Sequence, residues 1–120
     1  MRFFFGLAQI GDRLFVFGGG GNGERTTEMM DPETSMEFSR GRDMLAERYG
    51  CEAVSIDEQR ILVVSGDVLD ITTEILSFSQ DGTPLFTPGP NLLQARYCLA
   101  VISLDAHRVL VIGGRDDNLC

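Results

Sequence analysis

One phrase occurs three times in this chain and restricts its fold more than any other feature. Arg13-Leu-Phe-Val-Phe-Gly-Gly19, Arg60-Ile-Leu-Val-Val-Ser-Gly66 and Arg108-Val-Leu-Val-Ile-Gly-Gly114 share an arginine, a run of apolar residues and a glycine ending. Their arginines stand 47 and 48 residues apart (60 − 13 and 108 − 60). A fixed period in that range is the signature of a repeat architecture. Each unit of such a chain buries its apolar faces mainly against its neighbours, so the core forms between units.

The middle unit reads most clearly. Residues 48–56 form a short apolar run, Asp57-Glu-Gln59 turns, and 60–64 is continuous and β-branched, as suits a strand covered on both faces. After a loop at 66–71, residues 72–78 alternate polar and apolar side chains, the pattern of a further strand. Gln80-Asp-Gly-Thr83 carries the Asp-Gly pair of a tight turn. Residues 84–87 make a fourth short strand, closed by Pro88-Gly-Pro-Asn91. Four strands joined by short turns predict an antiparallel meander.

The other copies keep the same register. Residues 96–105 repeat the first strand at the same 12-residue offset to the next arginine (60 − 48 and 108 − 96). Thr26-Thr27-Glu28 answers Thr72-Thr73-Glu74, Asp31-Pro-Glu-Thr34 answers the Asp81-Gly82 turn, and Phe38 answers Phe86. In the first unit Gln9-Ile-Gly-Asp12 makes a turn about one residue shorter. A helix over 27–48 is the competing reading, but Pro32, Gly41 and the paired threonines favour strands. The chain divides into units at 1–47, 48–95 and 96–120, the last being half a unit.

Net charge is −8, and all ten basic residues are arginine. An acidic surface repels phosphate, which argues against nucleic acid and anionic membranes as partners and permits a basic one, the expected partner being a protein of unknown identity. The same charge also serves solubility alone. Cys51, Cys98 and Cys120 make no even-numbered disulfide framework. Cys51 and Cys98 fall at nearly equivalent repeat positions and are expected as small core residues in a reducing compartment. The opening Met1-Arg-Phe-Phe-Phe-Gly-Leu-Ala run is short, lacks a small-residue cleavage site and leads into repeat material. No segment approaches a membrane span, and the expected location is cytoplasmic.

These features together resemble the kelch repeat. The resemblance covers nearly the whole chain. It rests on the apolar strand with its double glycine (18–19, 113–114), the Thr-Glu strand (27–28, 73–74), the Asp-Pro-Glu-Thr turn (31–34) and the arginines at 48 and 96. It implies an all-β protein of four-stranded antiparallel blades, arranged as in a β-propeller. The sequence departs from the family pattern at two points. The tryptophan usual on the fourth strand is replaced by Phe38 and Phe86, which keep an apolar plug without an indole N–H, and the second double glycine is Ser65-Gly66. Kelch propellers close with about six blades. Two and a half units therefore predict an incomplete propeller, with further blades from a longer chain or self-association to cover its open ends.

No catalytic constellation is evident, and neither an enzyme nor a cofactor is expected. Gly18-Gly-Gly-Gly-Asn-Gly23 satisfies the dinucleotide-binding spacing and follows a strand, but it leads into another strand where that chemistry needs a helix N-terminus. Ser79-Gln-Asp-Gly82 lacks the spacing of a sialidase Asp-box, and the lone His107 cannot assemble a histidine-rich metal site. The resemblance implies a protein–protein interaction module of unnamed partner. Its alternatives are the substrate-recognition part of a cullin-type ubiquitin ligase adaptor and a galactose oxidase-like fragment.

In a meander the long connections at 18–25, 39–47, 66–71 and 88–95 emerge on one face, which is the expected binding face. Candidate partner-binding residues there are Arg48, Arg96, Asp67, Asp70 and Asp116, with Asp117 beside them. The arginines can hold a carboxylate through a two-pronged contact. Alternatively they clamp the scaffold by bonding carbonyls or Glu28 and Glu74, as repetition in every unit suggests. Arg13, Arg60 and Arg108, each after a turn, are expected to be structural.

Overall fold

The computed structural model describes residues 5–19, 25–64, 71–94, 97–105 and 107–115. Among these there is no helix, and ten strands account for the regular structure: β1 Gly6–Ile10, β2 Arg13–Phe17, β3 Thr27–Asp31, β4 Ser35–Arg40, β5 Glu52–Ser55, β6 Arg60–Val64, β7 Thr73–Phe78, β8 Pro84–Pro88, β9 Tyr97–Asp105 and β10 Arg108–Arg115. They form two four-stranded sheets, β1-β2-β3-β4 and β5-β6-β7-β8, and a two-stranded sheet of β9 and β10. Every neighbouring pair is antiparallel.

The sheets are copies in register. Glu28 stands opposite Arg40 in the first, and Glu74 stands opposite Pro88 in the second. Pro84 and Pro88 fit β8 because it is an edge strand, where a missing backbone donor costs no ladder bond on the solvent side. The β1–β2 turn places Gly11 at φ 56°, and the Asp81-Gly82 turn places Gly82 at φ 84°, a left-handed backbone that glycine adopts without strain.

Because side chains alternate across a strand, each sheet has two faces, and the sheets stack on them. From the first sheet Ala8, Ile10, Phe15 and Phe17 meet Cys51, Ile61, Val63, Leu76 and Phe86 of the second unit, all buried, with Met44 sealing the cluster. Phe17 and Phe86 meet edge to face at 6.3 Å, and Phe15 and Phe78 meet tilted at 5.7 Å. The opposite face of the second sheet presents Leu62 and Val64, with Val54 and Ile75, to Val101, Val109 and Val111 of the third.

The sheets come closest at their first strands, β1 beside β5 and β5 beside β9, and spread toward their last. That approach is tight at Gly6, where an added Cβ would sit 3.2 Å from Cys51 Sγ.

One device locks the third strand to the chain leaving the fourth in both complete sheets. Gly41 N–H donates to Thr27 O and Thr27 Oγ1 donates to Arg42 O; likewise Gly89 N–H donates to Thr73 O and Thr73 Oγ1 donates to Pro90 O. A Cβ at Gly41 or Gly89 would lie 2.6 or 2.3 Å from the threonine Oγ1, so glycine is needed for the close approach.

The structure differs from expectation in two places. The strand expected over 48–56 begins at Glu52, because Gly50 adopts φ 76° and Arg48 turns into the interior. Phe38 and Phe86 occupy matching positions, but Phe86 is 4% exposed and Phe38 46%. Phe86 plugs the space between the first and second sheets, whereas Phe38 lies exposed on the face of the first sheet turned away from the second. The helix considered for 27–48 is instead β3 and β4 with their connections.

A buried carboxylate clamp at the long-loop end

Successive connections of an antiparallel meander alternate between its two ends, so the segments after β2, β4, β6 and β8 share one end and the hairpin turns share the other. Arg48 lies at the long-connection end, in the segment leading from the first sheet into the second. Its side chain is 1% exposed. Nε donates to Glu74 Oε2 at 2.8 Å, while the two terminal nitrogens donate to Thr72 O and Thr72 Oγ1, each at 3.2 Å. The Glu74 carboxylate also accepts the backbone N–H groups of Leu45 at 2.6 Å and Ala46 at 3.1 Å. Gly19 N–H donates to Arg48 O at 2.8 Å and ties in the double-glycine connection of the preceding sheet.

Burying two opposite charges costs several kcal/mol of desolvation per ion, and only close geometry with further hydrogen bonds offsets it. The clamp meets both conditions, and among the described residues no buried side-chain nitrogen or oxygen lacks a partner. Both groups are enclosed, so the arrangement joins the entry segment, β7 and the neighbouring sheet's connection. This is the carbonyl-and-Glu74 arrangement considered for Arg48 from its repetition. Arg96, Asp67, Asp70 and Asp116 lie outside the described residues, as does Asp117.

Several other described arginines at this end and in the turns are also engaged. Arg25 donates to Met44 O through Nε at 3.3 Å and a terminal nitrogen at 3.2 Å. Arg60 pairs with Asp57 and Arg108 with Asp105, each through Nε at 2.8 Å across three residues. With the shorter first turn the residue three before Arg13 is Ile10 and not an aspartate, and Arg13 instead lies 4.8 Å over the Phe78 ring.

Those turn aspartates titrate low. Although burial opposes it, the Gln59 amide and Arg60 hold Asp57 below the usual carboxylate range; the His107 amide, then Arg108, do the same for Asp105. Ser79 and Thr83 bring Asp81 down to about 2. Burial pushes the Cys51 thiol up to about 11, which suits a core residue that donates weakly to Phe17 O rather than a nucleophile.

A groove of about 420 Å³ opens between the second and third sheets, lined by Leu62, Ile75, Leu92, His107, Val109 and Val111. The corresponding space between the first and second sheets is about 220 Å³, because Leu76, Phe78 and Phe86 of β7 and β8 fill it. The third sheet has no described strand in that place.

No group of three or more His, Cys, Asp or Glu side chains suited to a metal ion occurs among the described residues. The threonine–glycine lock was missed from sequence, although Gly41 and Gly89 repeat 48 residues apart (89 − 41) and gave the signal. The chain matches no protein-family model and no curated protein sequence.

Proposed function

We propose that this chain is an arc of kelch-type propeller blades, two complete and one half, that serves as a protein–protein interaction module through its long-connection end. One observation carries the reading: two consecutive four-stranded meanders repeat the same strand register and the same threonine–glycine lock, and they stack so that their first strands converge. Strands converging on one side are what blades around a common axis require.

The binding role follows from the division of labour at that end. Arg48 is consumed by the scaffold, so partner contact falls to the carboxylates that the sequence puts on the connections themselves. With Asp67, Asp70 and Asp116 there and a net charge of −8, the fitting partner presents a basic surface.

The test is a panel of arginine- and lysine-rich peptides titrated onto the immobilised chain at about 0.15 M salt, where long-range attraction is screened. Selective binding should be lost in an Asp67→Asn, Asp70→Asn, Asp116→Asn variant whose melting temperature is unchanged. Binding that survives the triple substitution, or that ranks peptides only by total charge, overturns the reading.

A further inference from the structure

The second sheet is covered on both faces, and it shows which residues each face uses. Its front, toward the first sheet, buries Cys51, Ile61, Val63, Leu76 and Phe86; its back, toward the third, buries Leu62 and Val64 with Val54 and Ile56. Strand pairing carries these positions onto the end sheets. Glu52 stands opposite Val64, Gly6 opposite Phe17 and Ala100 opposite Ile112. Ile102, Leu104, Leu110 and Ile112 thus hold in the third sheet the places of Val54, Ile56, Leu62 and Val64. Phe5, Leu7 and Phe38 hold in the first sheet the places of Cys51, Ala53 and Phe86.

On both of these end faces the large apolar residues are exposed, although Val16 at the centre of the first sheet's front is 9% exposed. On the third sheet's back the four residues are 45–54% exposed, and on the first sheet's front Phe5, Leu7 and Phe38 are 41–50% exposed, with Met36 at 73%. Isolated exposed apolar residues need no explanation, but two groups at the matching halves of an interface already built inside the chain do. The internal joint is heterologous, since a back always meets a front. We infer that the back of the third sheet docks on the front of the first sheet in a second copy of this chain, giving head-to-tail association.

A heterologous contact leaves one front and one back free at the ends of every open assembly, so it extends until a ring closes. The net charge of −8 opposes association at low ionic strength, and added salt relieves that repulsion while the apolar contact persists. The inference rests on the sheet packing alone, not on the kelch reading, and the acidic connections play no part in it.

The mixing of two exposed-face variants tests it by sedimentation. Wild type should form oligomers that strengthen with concentration and salt. Leu110→Glu spoils only the back and Phe38→Glu only the front; each should weaken self-association at least about tenfold, the equivalent of about 1.4 kcal/mol. Mixed in equal amounts, they should form a one-to-one dimer that grows no further, because one intact front meets one intact back. Circular dichroism melts checking that both variants keep the wild-type fold make a negative result decisive. A wild type that stays monomeric up to millimolar concentration, variants that associate unchanged, or a mixture that stays monomeric each overturns the inference.

Discussion

Replacing Arg48 by alanine tests whether this arginine holds the scaffold or serves a partner. Breaking a buried pair from one side costs about 3–5 kcal/mol, since the surviving charge stays in the interior. Here Glu74 would keep the Leu45 and Ala46 amides, so its carboxylate is not abandoned and the cost falls near the lower limit. The loss should therefore be about 3 kcal/mol, or roughly 10–15 °C in melting temperature for a domain of this size. Arg48→Lys should fall between: the charge survives, but one ammonium cannot reproduce contacts to both Glu74 and Thr72.

Urea unfolding with coincident circular dichroism and fluorescence probes measures the difference, provided the transition is two-state. The double substitution Arg48→Met, Glu74→Leu separates the pair from its surroundings. It removes both charges but leaves the amides of Leu45 and Ala46 without an acceptor, at about 1–3 kcal/mol each. It should consequently remain below wild type while costing less than the sum of the two single changes. A loss below about 1 kcal/mol for Arg48→Ala refutes the clamp, because burial with these contacts leaves no room for so small an effect.

Two further outcomes follow from the repeated local devices. Gly89→Ala places a methyl 2.3 Å from Thr73 Oγ1 and should cost about 1–3 kcal/mol by overpacking; adding Thr73→Ala should recover part of that in urea unfolding, and strict additivity would refute the lock. Asp81 sits at about 2, so its folded form holds a proton less readily than the unfolded chain, whose aspartate titrates near about 3.9. Its contribution is complete above about pH 4 and disappears as pH falls toward about 2, so Asp81→Asn should flatten the loss of stability in that window. An unchanged acid limb would show that the Ser79–Thr83 turn does not hold the charge.

The strand order was readable because local chemistry and repeat register agreed. The β6 strand begins and ends where the Arg60-Ile-Leu-Val-Val64 run does, and the Asp81-Gly82 turn joins β7 to β8 as its sequence requires. Arg48 was readable only in part. Its recurrence suggested a clamp on Glu74, but the two backbone amides that complete the site come from residues 28 and 29 positions before Glu74, and their approach depends on how the entry segment folds over β7. The strand expected from residue 48 starts only at Glu52, after Gly50 takes φ 76°. The candidate partner-binding residues Asp67, Asp70, Arg96 and Asp116 lie outside the described residues.

Residue type does not decide exposure in this chain; place in the array does. Leu62 and Leu110 belong to the same phrase at the same strand position, yet one is 8% exposed and the other 45%. The pair Phe86 and Phe38 shows the same contrast at the other face. Each apolar residue is written for a neighbouring sheet, and among the described residues only the second sheet has one on both sides. Its stability is therefore largely borrowed from the first and third, as nearest-neighbour coupling in a repeat array demands. Loosening either joint should consequently destabilise the second sheet more than a substitution of equal size on the outward face of an end sheet.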